Sequence, residues 1–449
     1  NSIRGEEFNY LRGTSMSAPH VAGIAALIKQ ARPDWSPAAI KSALMTTARQ
    51  DIVREDETTP ADPFDMGAGH IVPNAAINPG LVYETTTDQY DAYLCGRNLP
   101  RPGVVCQALL DDNVHSSEPW DLNLPSIAVA NLVSSTTVRR TVTNKGASGQ
   151  YVATVTAPAG IGVTVVPEVI SINRGATATF SVIFRNEGAP IDTWAFGDIS
   201  WQGDGKTVRS PFAVLPAKIF APEELDGVST SGELLLPVEF GYDGPYEPVV
   251  HGLEPACRLP ADEFCNFSGP KRIVDDPDNL YVFSAEPPPS VARFDSELKT
   301  NDQAVLRFRL FERFHPDDDL DMYLYFCSDI SCTDIELIAT SGADNSAEEI
   351  TVINPDQGFY KVDVHGYELS GASTDVTLYA WAFGLDDNRG NLLLSGAPGT
   401  VSYGTKADLT LNWQDLPEDF YLGGVSHNDD IGENHGITII DIDATVTAP

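Results

Sequence analysis

From residue 121 onward, short runs alternating apolar with polar residues recur between clusters of Gly, Pro and Asn. Alternation with a period of two gives each strand one buried and one solvated face, so such a stretch folds as packed antiparallel sheets. The runs Thr136–Val142, Tyr151–Thr156, Gly162–Val166, Thr177–Phe184, Gly197–Trp201 and Val208–Val214 predict a β-sandwich over residues 121–218. A stretch rich in Pro, Glu and Gly at 218–232 reads as a linker. Ala304–Leu310, Leu320–Phe326, Ile335–Ala339, Glu349–Ile353, Gly358–Val364 and Thr377–Phe383 predict another sandwich within 219–390. Ala407–Trp413, Tyr421–Ser426 and Gly436–Val446 predict a small β unit over 391–449.

Residues 1–120 follow a different rhythm. A small-residue turn, Gly13-Thr14-Ser15, leads into Val21-Ala22-Gly23-Ile24-Ala25-Ala26-Leu27-Ile28. Because Pro19 cannot donate a helical hydrogen bond, the regular helix is expected from about Ala18 to Gln30. Its apolar residues lie nearly all round, the mark of a helix buried in a larger body. A second helix is announced by Ser36 as N-cap, Pro37 at the first helical position and the stripe Ile40, Ala43, Leu44, Thr47. Two such helices need a partner sheet, and no sheet-forming run precedes them; the expectation is that this part lies upstream of residue 1. The turn itself places the Ser15 hydroxyl at a helix N-terminus, where unpaired N–H groups favour developing negative charge.

The chain of 449 residues carries 64 acidic against 28 basic residues, a formal net charge of -36. Phosphate binding needs clustered Lys and Arg, so nucleic-acid and anionic-membrane partners are excluded. No apolar run approaches the ~18 residues of a membrane span. The six cysteines stand as near neighbours, and local pairing of Cys95 with Cys106, Cys257 with Cys265 and Cys327 with Cys332 is the simplest arrangement. That usage points to an oxidising, extracellular setting, and the spacings match neither zinc nor dithiol redox motifs.

The string Gly13-Thr14-Ser15-Met16-Ser17-Ala18-Pro19-His20 resembles the nucleophile motif of the subtilases, the subtilisin-like serine proteases. Residues 63–83, Pro-Phe-Asp-Met-Gly-Ala-Gly-His through Asn-Pro-Gly-Leu-Val-Tyr, resemble the segment after the catalytic helices in the plant-type, or cucumisin-like, branch. Asp121-Leu122-Asn123-Leu124-Pro125-Ser126-Ile127 and Arg140-Thr141-Val142-Thr143-Asn144 resemble that branch's fibronectin-III-like domain, for which the resemblance implies a supporting role. Asp317-Asp318-Asp319-Leu320-Asp321-Met322-Tyr323-Leu324-Tyr325 resembles the signature strand of the bacterial pre-peptidase C-terminal domain. The expected architecture is multidomain. The C-terminal remnant of a subtilase α/β catalytic domain (1–120) is followed by two or three all-β sandwich domains: fibronectin-III-like (121–218), pre-peptidase C-terminal-like with a linker (219–390), and the small unit (391–449).

The resemblance implies a secreted serine endopeptidase, monomeric, acting on proteins or peptides, in which Ser15 attacks the scissile carbonyl to give an acyl-enzyme. In the family the triad runs Asp, His, Ser, and the aspartate, histidine and oxyanion asparagine come before the nucleophile. The fourteen residues before Ser15 hold no His and no Asp, so this polypeptide alone is expected to be inactive. His20 lies about 140° around the helix from Ser15 and reads as structural. His70 sits in the Gly-Ala-Gly-His loop and reads likewise. His115, His251, His315, His365, His427 and His435 read as surface residues. No cofactor is expected: structural calcium at 317–321 is the one candidate, but that run lacks the Gly and closing Glu of the helix-loop-helix pattern and reads as a solvated turn. The sequon Asn266-Phe267-Ser268 matters only in a glycosylating host. The competing reading is a non-catalytic extracellular β-sandwich binding or adhesion protein with a protease remnant.

Overall fold

Gly13, at φ 139°, opens helix α1, Thr14–Ala31. The computed structural model describes residues 13–96, 103–111, 114, 118–257, 270–299, 303–384, 387–429 and 431–446. Its contacts divide the chain into two units, one ending at Phe220 and one starting at Ala221.

In the first unit α1 starts four residues earlier than Pro19 led us to expect. Pro19 withdraws only the N–H that would bond the Ser15 carbonyl, and this far toward the helix start the turn tolerates the loss. Lys29 then donates to the Pro33 and Trp35 carbonyls at 2.8 and 2.7 Å, closing the turn into α2, Pro37–Thr46. There the Ala39 N–H donates to the Ser36 hydroxyl at 3.0 Å, and Ala39, Ile40, Ala43 and Leu44 pack with Ile28, Trp35, Ala76 and Val82. The expected all-round burial of α1 is not found. Only Ile28 is buried, Leu27 is 64% exposed, and α1 touches α2 and the helical turn Pro73–Ala76. No sheet among the described residues covers the helix, so its other faces stay open.

Beyond these helices lie strand β1, Leu81–Tyr83, and helix Thr87–Gly96, tied by Cys95–Cys106 to helix Cys106–Asp111. The sandwich follows as β2 (Ile127–Leu132), β3 (Ser135–Asn144), β4 (Gly149–Thr156), β5 (Ile161–Val166), β6 (Val169–Ile172), β7 (Thr177–Asn186), β8 (Ala195–Gly203) and β9 (Lys206–Pro216). One sheet runs β1-β3-β7-β5 and the other β2-β9-β8-β4-β6, with β2 parallel to β9. The six anticipated strands are all present. The boundary at 121 is not where the sheet begins: β1, from the preceding segment, is its edge strand, with Leu81 opposite Asn144 and Tyr83 opposite Val142. Phe180 meets Trp201 edge-on at 4.9 Å and Phe184 meets Phe212 at 5.1 Å, and around them Leu81, Val138, Val142 and Tyr151 fill the core.

The second unit interleaves two sandwiches. Strands 232–240, 405–413 and 393–395 form part of one sheet, and 224–228, 434–443, 420–428 and 247–255 form another. Residues 391–449 therefore pair with 221–257 instead of standing apart, and Glu224–Val228, expected in a linker, is a strand parallel to Asn434–Asp443. Between these halves the chain makes a second sandwich, with sheet order 291–298, 358–368, 319–327, 336–341 facing order 349–353, 303–309, 379–384. Phe294, Leu306, Phe308, Leu320, Met322, Leu324, Val362 and Val364 fill it. Arg307, 1% exposed, joins the two sandwiches: its guanidinium donates to Glu224 at 2.7 Å and Asp441 at 2.9 Å. Cys327–Cys332 is bonded as expected, while Cys265 and Asn266 lie outside the described residues.

Candidate active site

Ser15 stands at the second position of α1, exposed. The Met16 and Ser17 N–H groups both donate to the Gly13 carbonyl, at 3.0 and 3.2 Å. Among the described residues no hydrogen bond engages the Ser15 hydroxyl or its own N–H. The first turn also contains no acidic side chain to compete for those donors. A hydroxyl in this position faces the positive end of the helix dipole, which favours an alkoxide or an oxyanion formed beside it.

The His20 ring is turned back onto its own helix. The His20 Nδ1–H donates to the Met16 carbonyl at 2.6 Å, one helical turn back, and this bond holds the ring against its own helix. His70 is exposed, and its Nδ1 is 3.0 Å from the Ile71 carbonyl. Its loop is fixed by backbone instead: Arg49 and His70 exchange N–H···O bonds of 3.0 and 2.9 Å. Gly69, at φ 116°, permits that closure, since a β-carbon there would stand 2.2 Å from the Arg49 carbonyl oxygen. Asp62 and Asp65 cap the next helical turn reciprocally and both accept from Arg54.

The reading of the remaining histidines as surface residues is corrected for four of them. His251, His315, His365 and His427 are all buried, each against a polar neighbour that alternation alone does not reveal. His251 Nε2 lies 2.6 Å from Ser426 Oγ, and His427 contacts the hydroxyls of Tyr246 and Thr438 at 2.7 and 2.9 Å. Burial lowers the His427 pKa to about 4. Burial also pushes His365 down, but Asp321 and Asp276 outweigh it and leave the ring raised. His435 bonds Asp429 at 2.9 Å, and His115 lies outside the described residues. The five described ones, His251, His315, His365, His427 and His435, belong to the second unit.

Comparison with known proteins bears on the same stretch. The subtilase family matches residues 1–69, and the fibronectin type-III domain family matches 121–214. Subtilisin-like protease SBT1.7 of Arabidopsis thaliana is 39% identical over 227 residues, which is 47% of this chain and 30% of that protein. Subtilisin-like protease SBT5.3 of the same plant is 42% identical over 221 residues, 46% of this chain and 28% of its own length. The chain thus spans under a third of the curated relatives it matches. Among solved structures, tripeptidyl peptidase 2 is aligned over 92% of this chain and 28% of its own at 11% identity, with a TM-score of 0.28, too low to bear on the fold. Residues 1–69 are thus similar to the subtilases and residues 121–214 to the fibronectin type-III domain, and about half of the chain is similar to plant subtilisin-like proteases.

Further, no helix of the described residues is long and apolar enough to cross a membrane.

Proposed function

We propose that this chain supplies the nucleophile of a secreted serine endopeptidase, with Ser15 as the attacking residue and protein or peptide chains as substrates. The observation that carries the reading is the exposed Ser15 at the start of an 18-residue helix, its hydroxyl and its own N–H both unengaged among the described residues. Attack on a carbonyl carbon would form the Oγ–C bond, move the carbonyl electrons onto oxygen, and place that oxyanion within reach of the Ser15 N–H. The hydroxyl proton needs a base. His20 is committed to the Met16 carbonyl, and among the described residues no base hydrogen-bonds the Ser15 hydroxyl, so none of them is placed to take the proton. Losing the base of a subtilisin costs on the order of a millionfold in turnover, a magnitude taken from that enzyme as the general case. We therefore infer that the isolated chain is inactive, and that the fibronectin-III-like sandwich acts as a scaffold for the nucleophile's segment.

The decisive experiment is to read the coding sequence on the 5′ side of Asn1 and express whatever longer product it encodes. An open frame carrying an aspartate, a histidine and an asparagine in that order, with casein hydrolysis lost in Ser15→Ala, supports the proposal. Hydrolysis by the 449-residue chain itself that survives Ser15→Ala would refute it.

A further inference from the structure

The turn between strands Phe420–Asn428 and Asn434–Asp443 brings three ligating side chains together, one of them an imidazole. His435 Nε2 lies 2.9 Å from Asp429 Oδ2 and 3.8 Å from Glu433 Oε2, and all three atoms fall within 4.8 Å of one another. The Asp429 side chain is fully buried and that of His435 is 7% exposed, whereas Glu433 is 62% exposed and leaves one side of the cluster open to water.

The backbone sets this convergence. Asn428 stands opposite Asn434, the Asp429 N–H donates to the Glu433 carbonyl at 3.1 Å, and the Gly432 N–H donates to the Asp429 carbonyl at 3.1 Å, so residues 429, 433 and 435 meet at one end of the hairpin. Asp429 Oδ1 accepts the Ile431 and Glu433 N–H groups, both at 2.9 Å. Those bonds orient the carboxylate and present its Oδ2 to His435. Carboxylates that ligate metals are held by hydrogen bonds of this kind, which fix the ligand before the ion arrives.

We propose that Asp429, Glu433 and His435 bind a zinc ion, with water at a fourth position. Zinc bonds of about 2.0–2.1 Å put tetrahedral ligand atoms about 3.3 Å apart, and the separations of 2.9 and 3.8 Å bracket that spacing. The exposed Glu433 side chain has the freedom to close the longer one. Calcium and magnesium take shells of oxygen, whereas one imidazole with two carboxylates suits zinc. Among the described residues neither Glu433 nor His435 meets a Lys or Arg that would take the cation's place. Glu224, Asp226 and Asp441 also converge, but Arg307 and Arg309 neutralise Asp441 and no imidazole joins them. Asp318, in the run read from sequence as a solvated turn, is instead 7% exposed, and its Oδ1 is spent on the Ser370 N–H and hydroxyl, both at 2.8 Å.

The test is calorimetric titration and thermal unfolding of the whole chain, stripped with EDTA, with zinc chloride and with calcium and magnesium chloride at matched ionic strength. We expect a saturable zinc heat and a rise in Tm, with no comparable response to calcium or magnesium. Glu433→Gln keeps the size of an exposed side chain and removes its charge; it should weaken zinc binding by at least about tenfold, since losing even the hydrogen-bond partner of a ligand costs that much, and leave the zinc-free Tm unchanged. His435→Gln should weaken it by at least about as much, and where that variant does not fold Glu433→Gln decides alone. No saturable zinc heat, an equal response to calcium, or a loss under about tenfold in either folded variant would overturn the site and leave Asp429 and His435 as an ion pair that closes the hairpin.

Discussion

Tyr83 joins the helical segment to the sandwich through both of its polar groups. Its N–H donates to Ser42 Oγ of α2 at 2.9 Å, and its hydroxyl accepts from Ser210 Oγ of β9 at 2.8 Å, 127 residues away in sequence. Tyr83 is 2% and Ser210 3% exposed. Burial raises the Tyr83 pKa against the Ser210 bond, so the phenol stays protonated. The helix that follows the nucleophile is thereby fixed to a rigid β framework.

Removing one partner of this bond should cost more than removing both. Ser210→Ala strands the Tyr83 hydroxyl in the core and Tyr83→Phe strands Ser210, each costing about 1–3 kcal/mol, whereas the double variant leaves neither hydroxyl unpaired and should cost less than either single one. Urea unfolding of the three variants checks this. Independent, additive losses would show that the hydroxyls do not depend on one another.

Arg140 should be irreplaceable by lysine. It is 3% exposed and among the described residues has no carboxylate bonded to its guanidinium; instead it donates to the carbonyls of Trp120, Leu124 and Ser126 at 2.7, 3.0 and 3.1 Å. Burial pulls its pKa down to about 10. The planar fork satisfies three carbonyls of the segment leading into β2, which an ammonium's compact point charge cannot span. Arg140→Lys and Arg140→Ala are each expected to lose about 2–4 kcal/mol of stability by leaving those acceptors buried and unpaired. Recovery of wild-type stability in Arg140→Lys would show that charge, not fork geometry, is what the site needs.

The elements with a local cause were legible in the sequence. Ser36 and Pro37 start α2 because a hydroxyl cap and a residue without an N–H suit a helix's first turn, and alternation placed the later strands to within a few residues. What depended on distant partners was not legible. Leu81–Tyr83 is too short to show which strand it joins, and its pairing with Val142–Asn144 appears only in the fold. Glu224–Val228 looked like a linker because its acids gave no apolar face; Glu224 is carried into the sheet by Arg307, 83 residues on. His427 lies in a strand whose residues Phe420–His427 are all buried, and the hydroxyls of Tyr246 and Thr438 that make this tolerable come from other strands. At the candidate site, the small-residue turn that leaves Ser15 exposed at the start of α1 was readable from its own residues.

The second unit should lose stability in acid through His427. In the folded chain this imidazole resists protonation until about pH 4, while in the unfolded chain it takes up a proton near 6.5. Between those values the unfolded state binds more protons, so the stabilisation is full above pH 6.5 and fades as pH falls toward 4. From pH 7 to pH 5 the loss should be on the order of 2 kcal/mol. His365, whose pKa is raised, contributes in the opposite sense, so the measurement must be a difference. Urea unfolding of wild type and His427→Gln at both pH values isolates it: the gap between the two should narrow in acid. A gap independent of pH would mean that the folded ring is not held neutral.

Ser15 should behave as a functional group that packing does not need. Its side chain is exposed and unengaged among the described residues, so Ser15→Ala should shift stability by less than about 0.5 kcal/mol. Ser15→Cys turns the same position into a reporter. No free cysteine is present among the described residues to compete for reagent. A thiol at the open N-terminus of α1 should ionise below the ordinary value of about 8.5, because the first-turn N–H groups and the helix dipole favour the thiolate. The rate of alkylation by iodoacetamide against pH gives that value directly. A rate profile centred at or above about 8.5, or a thiol that reacts only after unfolding, would mean that the helix start does not favour negative charge at this atom, and the case for Ser15 as nucleophile would lose its physical basis.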